Sequence, residues 1–218
     1  MVEIQGKVKG FSPDTPNNYL INNAVLYTDV SFNTETGKWE GTRHGATSGG
    51  VSINYEPEVR NIEVDGMNKI GVVGNQVIDS VTITATANVK EILASTISHA
   101  MNASIDTEGE QVPNYDKYTS SYDLSASSYH KNLAVFGNLS NGKYVIAILD
   151  NAKNLAGMEL GTEDNSESVI ETTYTAHATI EQLENDEVPF RMYLPTEAAS
   201  PEQPVDPETD GTDPATEV

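Results

Sequence analysis

From Asp79 to Val89 the chain reads DSVTITATANV, with Val81, Ile83, Ala85 and Ala87 interleaved with Thr82, Thr84 and Thr86. A side-chain period of two belongs to an extended strand with one face in a core and the other turned away from it; a helix would scatter the same residues around its axis. The alternation recurs in GGVSINYEPEVRNIEVDG, residues 49 to 66, as two runs separated by a Pro and closed by Asp-Gly. Val51, Ile53 and Tyr55 share one face of the first run, against Ser52, Asn54 and Glu56; in the second, Ile62 and Val64 oppose Asn61, Glu63 and Asp65. These patterns predict half-buried antiparallel strands. What their polar faces meet is the functional question.

Other segments extend the pattern. AVLYTDVSF (24–32) is strand-like, and NLAVFGNLSNGKYVIAILD (132–150) predicts a hairpin from about 133 to 149, because Asn and Gly in Ser-Asn-Gly-Lys tolerate the positive φ of a tight turn. ESVIETTYTAHATI (167–180) predicts a last long strand, followed by VPFRMYLP (188–195). One amphipathic helix is predicted over 90–102, KEILASTISHAMN, with Leu93, Ile97, Ala100 and Met101 facing a sheet, Ile92 beside them, and Glu91, Ser95, Ser98 and Asn102 outward. A chain of 218 residues fits one core with appendages. The expected class is therefore mainly β: an antiparallel sandwich or barrel-like domain over 24–195 with one flanking helix.

Outside the periodic segments, residues 1–23 read as a polar extended arm with Pro13 and Pro16. Residues 33–50, NTETGKWEGTRHGATSGG, carry the sole Trp among turn formers and read as a loop long enough to have a task of its own. Residues 103–131, rich in Ser, Tyr and Asp, read as a surface excursion. From Thr196 to Val218 there are seven acids, four Pro and no base, too little apolar surface to offset ordering entropy, so a disordered tether is expected.

Charge and composition exclude several classes. The formal net charge is −21, which opposes phosphate binding through Lys and Arg. There is no Cys, hence no disulfide, thiolate metal site or Cys nucleophile. No apolar stretch near residue 1 resembles a signal peptide, and the longest apolar run, YVIAIL (144–149), is too short for a bilayer, so a soluble protein without a membrane partner is expected. The four His, at 44, 99, 130 and 177, show no metal-ligand spacing; His99 is expected to be solvated and His177 to make a structural hydrogen bond. No nucleophile elbow, Walker loop or dinucleotide fingerprint is present. DPETDGTDPATE (206–217) matches the acid spacing of a calcium loop but has Pro at two positions and no flanking helices. Acid pairs such as Glu56 with Glu58, or Glu63 with Asp65, are what exposed strand faces of an acidic protein carry. No catalytic residue, metal or cofactor is expected.

Taken together, GATSGGVSINYEPEVRNIEVDGM, DSVTITATANVKEILASTI, VIETTYTAHATI and VPFRMYLP resemble, in that order, the major tail (tail tube) proteins of long-tailed bacteriophages of Gram-positive hosts. The most specific pieces are the Gly-Gly strand with Tyr55-Glu56-Pro57-Glu58, the strand end Ile62-Glu63-Val64-Asp65-Gly66, and Thr175-Ala176-His177 ahead of Pro189-Phe190. The excursion at 103–131 and the acidic end fall outside that pattern. The resemblance implies a non-enzymatic virion protein, made in the host cytoplasm, whose homohexameric rings stack into a hollow tube. Its further partners would be a tape-measure protein and tube-end or baseplate proteins, with DNA passing through during ejection without being held.

On that reading the polar strand faces would line the channel, with Glu56, Glu63 and Asp65 as candidate lumen residues. The 33–50 loop, with Trp39, Arg43 and His44, would contact the next ring, because a lone Trp on a Gly-rich loop suits a neighbour's pocket; the alternative is that Trp39 folds over its own sheet. Two other functions compete: a carbohydrate-binding or adhesive β-sandwich using the Tyr-rich 114–129 segment, and a hydrolase with a carboxylate pair.

Overall fold

The structure is a computed structural model that describes residues 11, 15–65, 71–107, 112–160 and 168–196. After a short 3-10 turn at Thr15–Asn18, the strands are β1 (Leu20–Asn33), β2 (Lys38–Arg43), β3 (Thr47–Asn61) and β4 (Gln76–Val89). Helix α1 (Ala94–Met101), β5 (Ala103–Ile105) and β6 (Tyr118–Ser120) follow, then β7 (His130–Leu139) and β8 (Tyr144–Asn154). The chain continues through β9 (Glu159–Leu160), β10 (Ile170–Thr175), α2 (Ile180–Glu184) and β11 (Phe190–Tyr193).

The main sheet runs β2-β1-β7-β8-β10-β4-β3, all neighbours antiparallel, with β11 also on β8 and β9 on β10. Its two end strands, β2 and β3, are joined by residues 44–46 alone. So short a link spans at most roughly 14 Å from Arg43 to Thr47, so a flat sheet of seven strands is impossible. The sheet curls into an antiparallel half-barrel, and at the link its ends meet: the His44 N–H donates to Leu26 O at 2.9 Å and the Thr47 hydroxyl to Ala24 O at 3.3 Å. Gly45 allows this, since it takes φ +125°, and a Cβ there would lie 3.3 Å from a Val89 methyl.

The concave side holds one apolar core, with Leu26, Ile83, Ala85, Ala87, Leu133, Val135, Leu149, Ala152 and Tyr174 drawn from five strands. The expected inward set of β4 is in place, Ile83, Ala85 and Ala87 being buried and Val81 packed against them. A second cluster, Val30, Ala134, Phe136, Ile146 and Ile148, occupies the other face of β7 and β8 under Tyr27, Trp39 and Tyr144. The predicted 133–149 hairpin is thus the central pair of the sheet and is covered on both faces. Fully burying each large aliphatic side chain is worth about 1.5–3 kcal/mol. A bulge in β1 between Thr28 and Ser31, with Asp29 at φ 55°, leaves the Val30 backbone groups without a ladder partner. Asn132 supplies one: its Oδ1 accepts from Val30 N at 2.7 Å and its Nδ2 donates to Val30 O at 2.9 Å.

Several boundaries differ from the sequence expectations. The first strand starts at Leu20, inside the segment assigned to the arm; residues 1–10 and 12–14 lie outside the described residues, as do Gly66 and everything after Thr196, including the calcium-loop lookalike. The 33–50 loop is instead the β1–β2 turn, β2 and the start of β3. Its turn is organised by Asn33, whose Oδ1 accepts from Glu35 N and Thr36 N. The two runs of 49–66 are one strand through Pro57 that ends at Asn61, leaving Ile62, Glu63, Val64 and Asp65 outside regular structure. Pro57 is tolerated because β3 is an edge strand.

Helix α1 starts at Ala94 rather than 90, since Lys90 N donates to Ala46 O and the Glu91 carboxylate accepts from Ala46 N, which holds the first residues extended. Its inward face is Thr96 and Ala100; Met101 and Ile92 are exposed. Residues 103–131 leave the main sheet as a separate β5–β6 hairpin before His130 opens β7. A second helix, α2, replaces the end of the expected 167–180 strand, held by a capping box: Gln182 N donates to Thr179 Oγ1 and Thr179 N donates to the Gln182 side chain.

Candidate functional site

The alternation of β3, β4 and β10 places one polar face side by side across three strands. Pairing sets Ser52, Asn54, Glu56 and Glu58 opposite Thr86, Thr84, Thr82 and Ser80. On the other side of β4, Glu171, Thr173 and Thr175 stand opposite Asn88, Thr86 and Thr84. Hydroxyls and amides bind one another across it: Thr86 and Thr173 at 3.0 Å, Ser80 to Glu58 at 3.0 Å, Asn54 to Glu56 at 2.7 Å. Within 47–58, 80–89 and 170–175 there is no Lys or Arg. The result is a broad hydroxyl surface with Glu56, Glu58 and Glu171 as its charges. It repels polyanions and offers phosphate no cation.

The outer half of the β3–β4 hairpin has no core to cover. From Tyr55 to Asn61 and from Gln76 to Ser80 both faces are exposed, including Tyr55, Val59, Val77 and Ile78. Ile62, Val64, Val72 and Val73 continue the exposed apolar surface beyond the strands. Among the described residues, the outer edge of β3 pairs with no strand. The outer half of β3 alternates Tyr55, Pro57 and Val59 with Glu56, Glu58 and Arg60, and an open strand edge is a place where a further strand can add. The hairpin is stiffened at its tip, where a bulge between Glu58 and Val59 brings Arg60 against Asp79 at 2.8 Å.

Of the sequence-derived lumen candidates, Glu56 stands on the polar face; Glu63 and Asp65 are exposed but lie past the end of β3, so they do not share it. Trp39 is half-buried on its own sheet, edge-on to Phe32 and Tyr193 with ring centres at 5.2 Å, and to Phe136 at 6.2 Å. Arg43 is exposed and paired with Glu91 at 3.1 Å.

His44 is only 2% exposed, so it is not a surface contact residue as the 33–50 loop reading had it. Its Nε2 lies 2.8 Å from the Tyr174 hydroxyl, and its ring stands edge-on to His130 at 5.8 Å. His99 is half-buried rather than fully solvated; it stacks on His130 at 3.6 Å, and Lys153 Nζ donates to His99 O at 3.2 Å and to Asn102 Oδ1 at 3.3 Å. Burial holds His44 and His130 neutral, with pKa values pulled down to about 4 and about 3, neighbouring His99 acting in the same direction. Burial likewise raises the Tyr174 phenol and lowers Lys153. No group of three His, Cys, Asp or Glu among the described residues is arranged to hold a metal ion. His177 makes the structural contact expected of it, its Nδ1 lying 3.3 Å from Asn151 O.

The inward parity of Ile170, Thr172 and Tyr174 was available in the sequence. The meeting of His44, His99, His130 and Lys153 was not, since it depends on how the sheet curls.

No family model and no curated protein matches the chain. Among solved structures, the chain is similar to one from the cryo-EM structure of the anti-feeding prophage (AFP) baseplate, 6-fold symmetrised. The identity is 10%, over 80% of this chain and 95% of that one, with a TM-score of 0.45. Likeness at this level is too slight to transfer a function.

Proposed function

We propose that this chain is a self-assembling structural subunit of a phage tail, forming hexameric rings that stack into the tail tube. The observation that carries this reading is the outer β3–β4 hairpin, exposed on both faces with Tyr55, Val59, Val77 and Ile78 among its residues and, among the described residues, ending the sheet on an unpaired edge. Its natural complement is the other free edge, β2, of the next copy, added as a further strand. Head-to-tail pairing of two different edges closes into a ring when the rotation allows. The hydroxyl face of β3, β4 and β10 then turns to the lumen, where Glu56, Glu58 and Glu171 keep passing DNA from adhering. Arg43 and the exposed part of Trp39 remain as ring-stacking contacts. A tape-measure protein and tube-end or baseplate proteins are the further partners this role requires, and no catalysis is involved.

Electron microscopy of the purified protein tests the reading: rings or hollow rods are expected, and small featureless particles at high concentration would end it. Because the subunits are acidic, raising salt should favour rods by screening their repulsion. Glu56→Lys is expected to leave rods intact but make them retain DNA in a filter-binding assay.

One observation favours the carbohydrate-binding alternative. An open groove of about 640 Å³ beside the β5–β6 hairpin is lined by Ser104, Asp106, Thr119, Tyr122 and Asp123, and the Tyr122 ring is fully exposed. Glycan-array binding by a persistent monomer would favour that function over assembly.

A further inference from the structure

Helix α1 is docked on the barrel by polar and basic groups beside its buried Ala100 and half-buried Ile97. Met101 at its end is 38% exposed, and Ile92, just ahead of its N-cap, is 61% exposed. What holds it are the Thr96 hydroxyl donating to His44 O at 3.4 Å, the His99–His130 stack at 3.6 Å, and Lys153, which fastens the last turn through His99 O and Asn102 Oδ1. Each strand or link beneath the helix contributes its own titratable group. These are His44 from the β2–β3 link, His130 from β7, Lys153 from β8 and Tyr174 from β10, whose ring lies 5.7 Å from that of His130. On β1, Asp29 is the acid that favours a charged His99, and the Ser128 backbone acts in the same sense. The Arg43–Glu91 pair sits at the surface over the link. The Nε2 of His130 is buried without a hydrogen-bond partner among the described residues, so a proton placed there would have no acceptor.

We propose that α1 is a proton-released clasp: protonation of the His99–His130 stack beside Lys153 drives the helix off the barrel end while the main sheet stays folded. Two imidazolium rings at stacking distance, next to an ammonium, repel one another, and with His130 buried and His99 half-buried, solvent screens them only in part. The sheet is spared because α1 and the β5–β6 hairpin form an excursion between β4 and β7, outside the ladder of the main sheet. Opening therefore breaks no strand pairing in it, which is the condition for local rather than global unfolding. Asn102 ties the helix to the hairpin by donating to Ser121 O at 2.8 Å and Asp123 O at 3.0 Å, so the two should leave together.

Hydrogen exchange of the full chain, corrected for the intrinsic effect of pH on exchange, tests this. Between pH 7.5 and 4.5, protection of amides in 97–102 should fall at least about tenfold while that of β7 and β8 holds. In His130→Phe, which keeps a stacking ring but takes no proton, α1 should stay protected at pH 4.5. Unchanged α1 protection in the wild type, simultaneous loss from α1 and β7–β8, or acid release persisting in His130→Phe would each overturn the proposal. Should that variant not fold, the wild type decides through NMR titration of its histidine rings. The α1 opening must then share the midpoint of the His99–His130 titration, and a separation of more than about one pH unit overturns the clasp.

Discussion

The chain contains two long antiparallel hairpins, β7–β8 and β3–β4, built on the same alternation yet placed in opposite surroundings. Between Asn132 and Gly137 β7 is buried without interruption, because one face meets the barrel core and the other lies under Trp39, Tyr27 and Tyr144. The outer half of β3–β4 is exposed on both faces although it too carries Tyr, Val and Ile. The first hairpin is core along most of its length. The second supplies Ile83, Ala85 and Ala87 to the same core from its inner half, while in its outer half Tyr55 meets Phe190 at 6.1 Å, Val59 pairs with Ile78, and the remaining apolar surface is open. On the proposed function, stability rests on β7–β8 and the inner half of β3–β4 and assembly on the outer half of β3–β4, so the two should be separable by mutation.

The sharpest break of this comparison is Leu149→Ala. Leu149 is fully buried, and its truncation should cost roughly 3 kcal/mol in urea denaturation. Acid comes next. The unfolded chain protonates its histidines near pH 6.5, whereas folded His44 resists down to about 4. Stability from His44 is therefore complete above pH 6.5 and falls as pH drops toward 4, by about 2 kcal/mol at pH 5. That slope should shrink in His44→Gln when denaturation is compared at pH 7.5 and 5. Thr179→Ala removes the α2 cap and should cost about 1 kcal/mol, read as a lower denaturation midpoint. The smallest effect on the subunit is expected from Val59→Asp, within about 0.5 kcal/mol of the wild type. It should nevertheless abolish rods in electron micrographs; rods that persist would refute the assembly role of the second hairpin.

The sequence made strand faces readable wherever one face was apolar. Val81, Ile83, Ala85 and Ala87 show this, as does the Ser-Asn-Gly-Lys turn. It misled in three physical situations. Trp39 stands in a strand whose Gly41 and Thr42 break the alternation, so β2 looked like loop. Ile62 and Val64 alternate correctly but have no partner strand among the described residues, and pattern alone carries no information on pairing. Helix α1 has a respectable apolar stripe, yet the surface that receives it is lined by His and Lys, so its small and polar residues face inward. Of the polar face, Glu56 and the threonines were legible from parity, while Glu171 joined them only through the β4–β10 register. The capping box before α2 is legible as Thr-x-x-Gln, but it lies at the end of an alternating strand pattern that masks it.

The passage from β2 to β3 through His44, Gly45 and Ala46 has a mechanical consequence. Force that spreads the barrel's two rims is taken up at that end by peptide bonds, whereas at the opposite end no short covalent link joins β2 to β3. A molecule pulled from both sides would therefore gape at one mouth and stay shut at the other, becoming a cone rather than tearing along a seam.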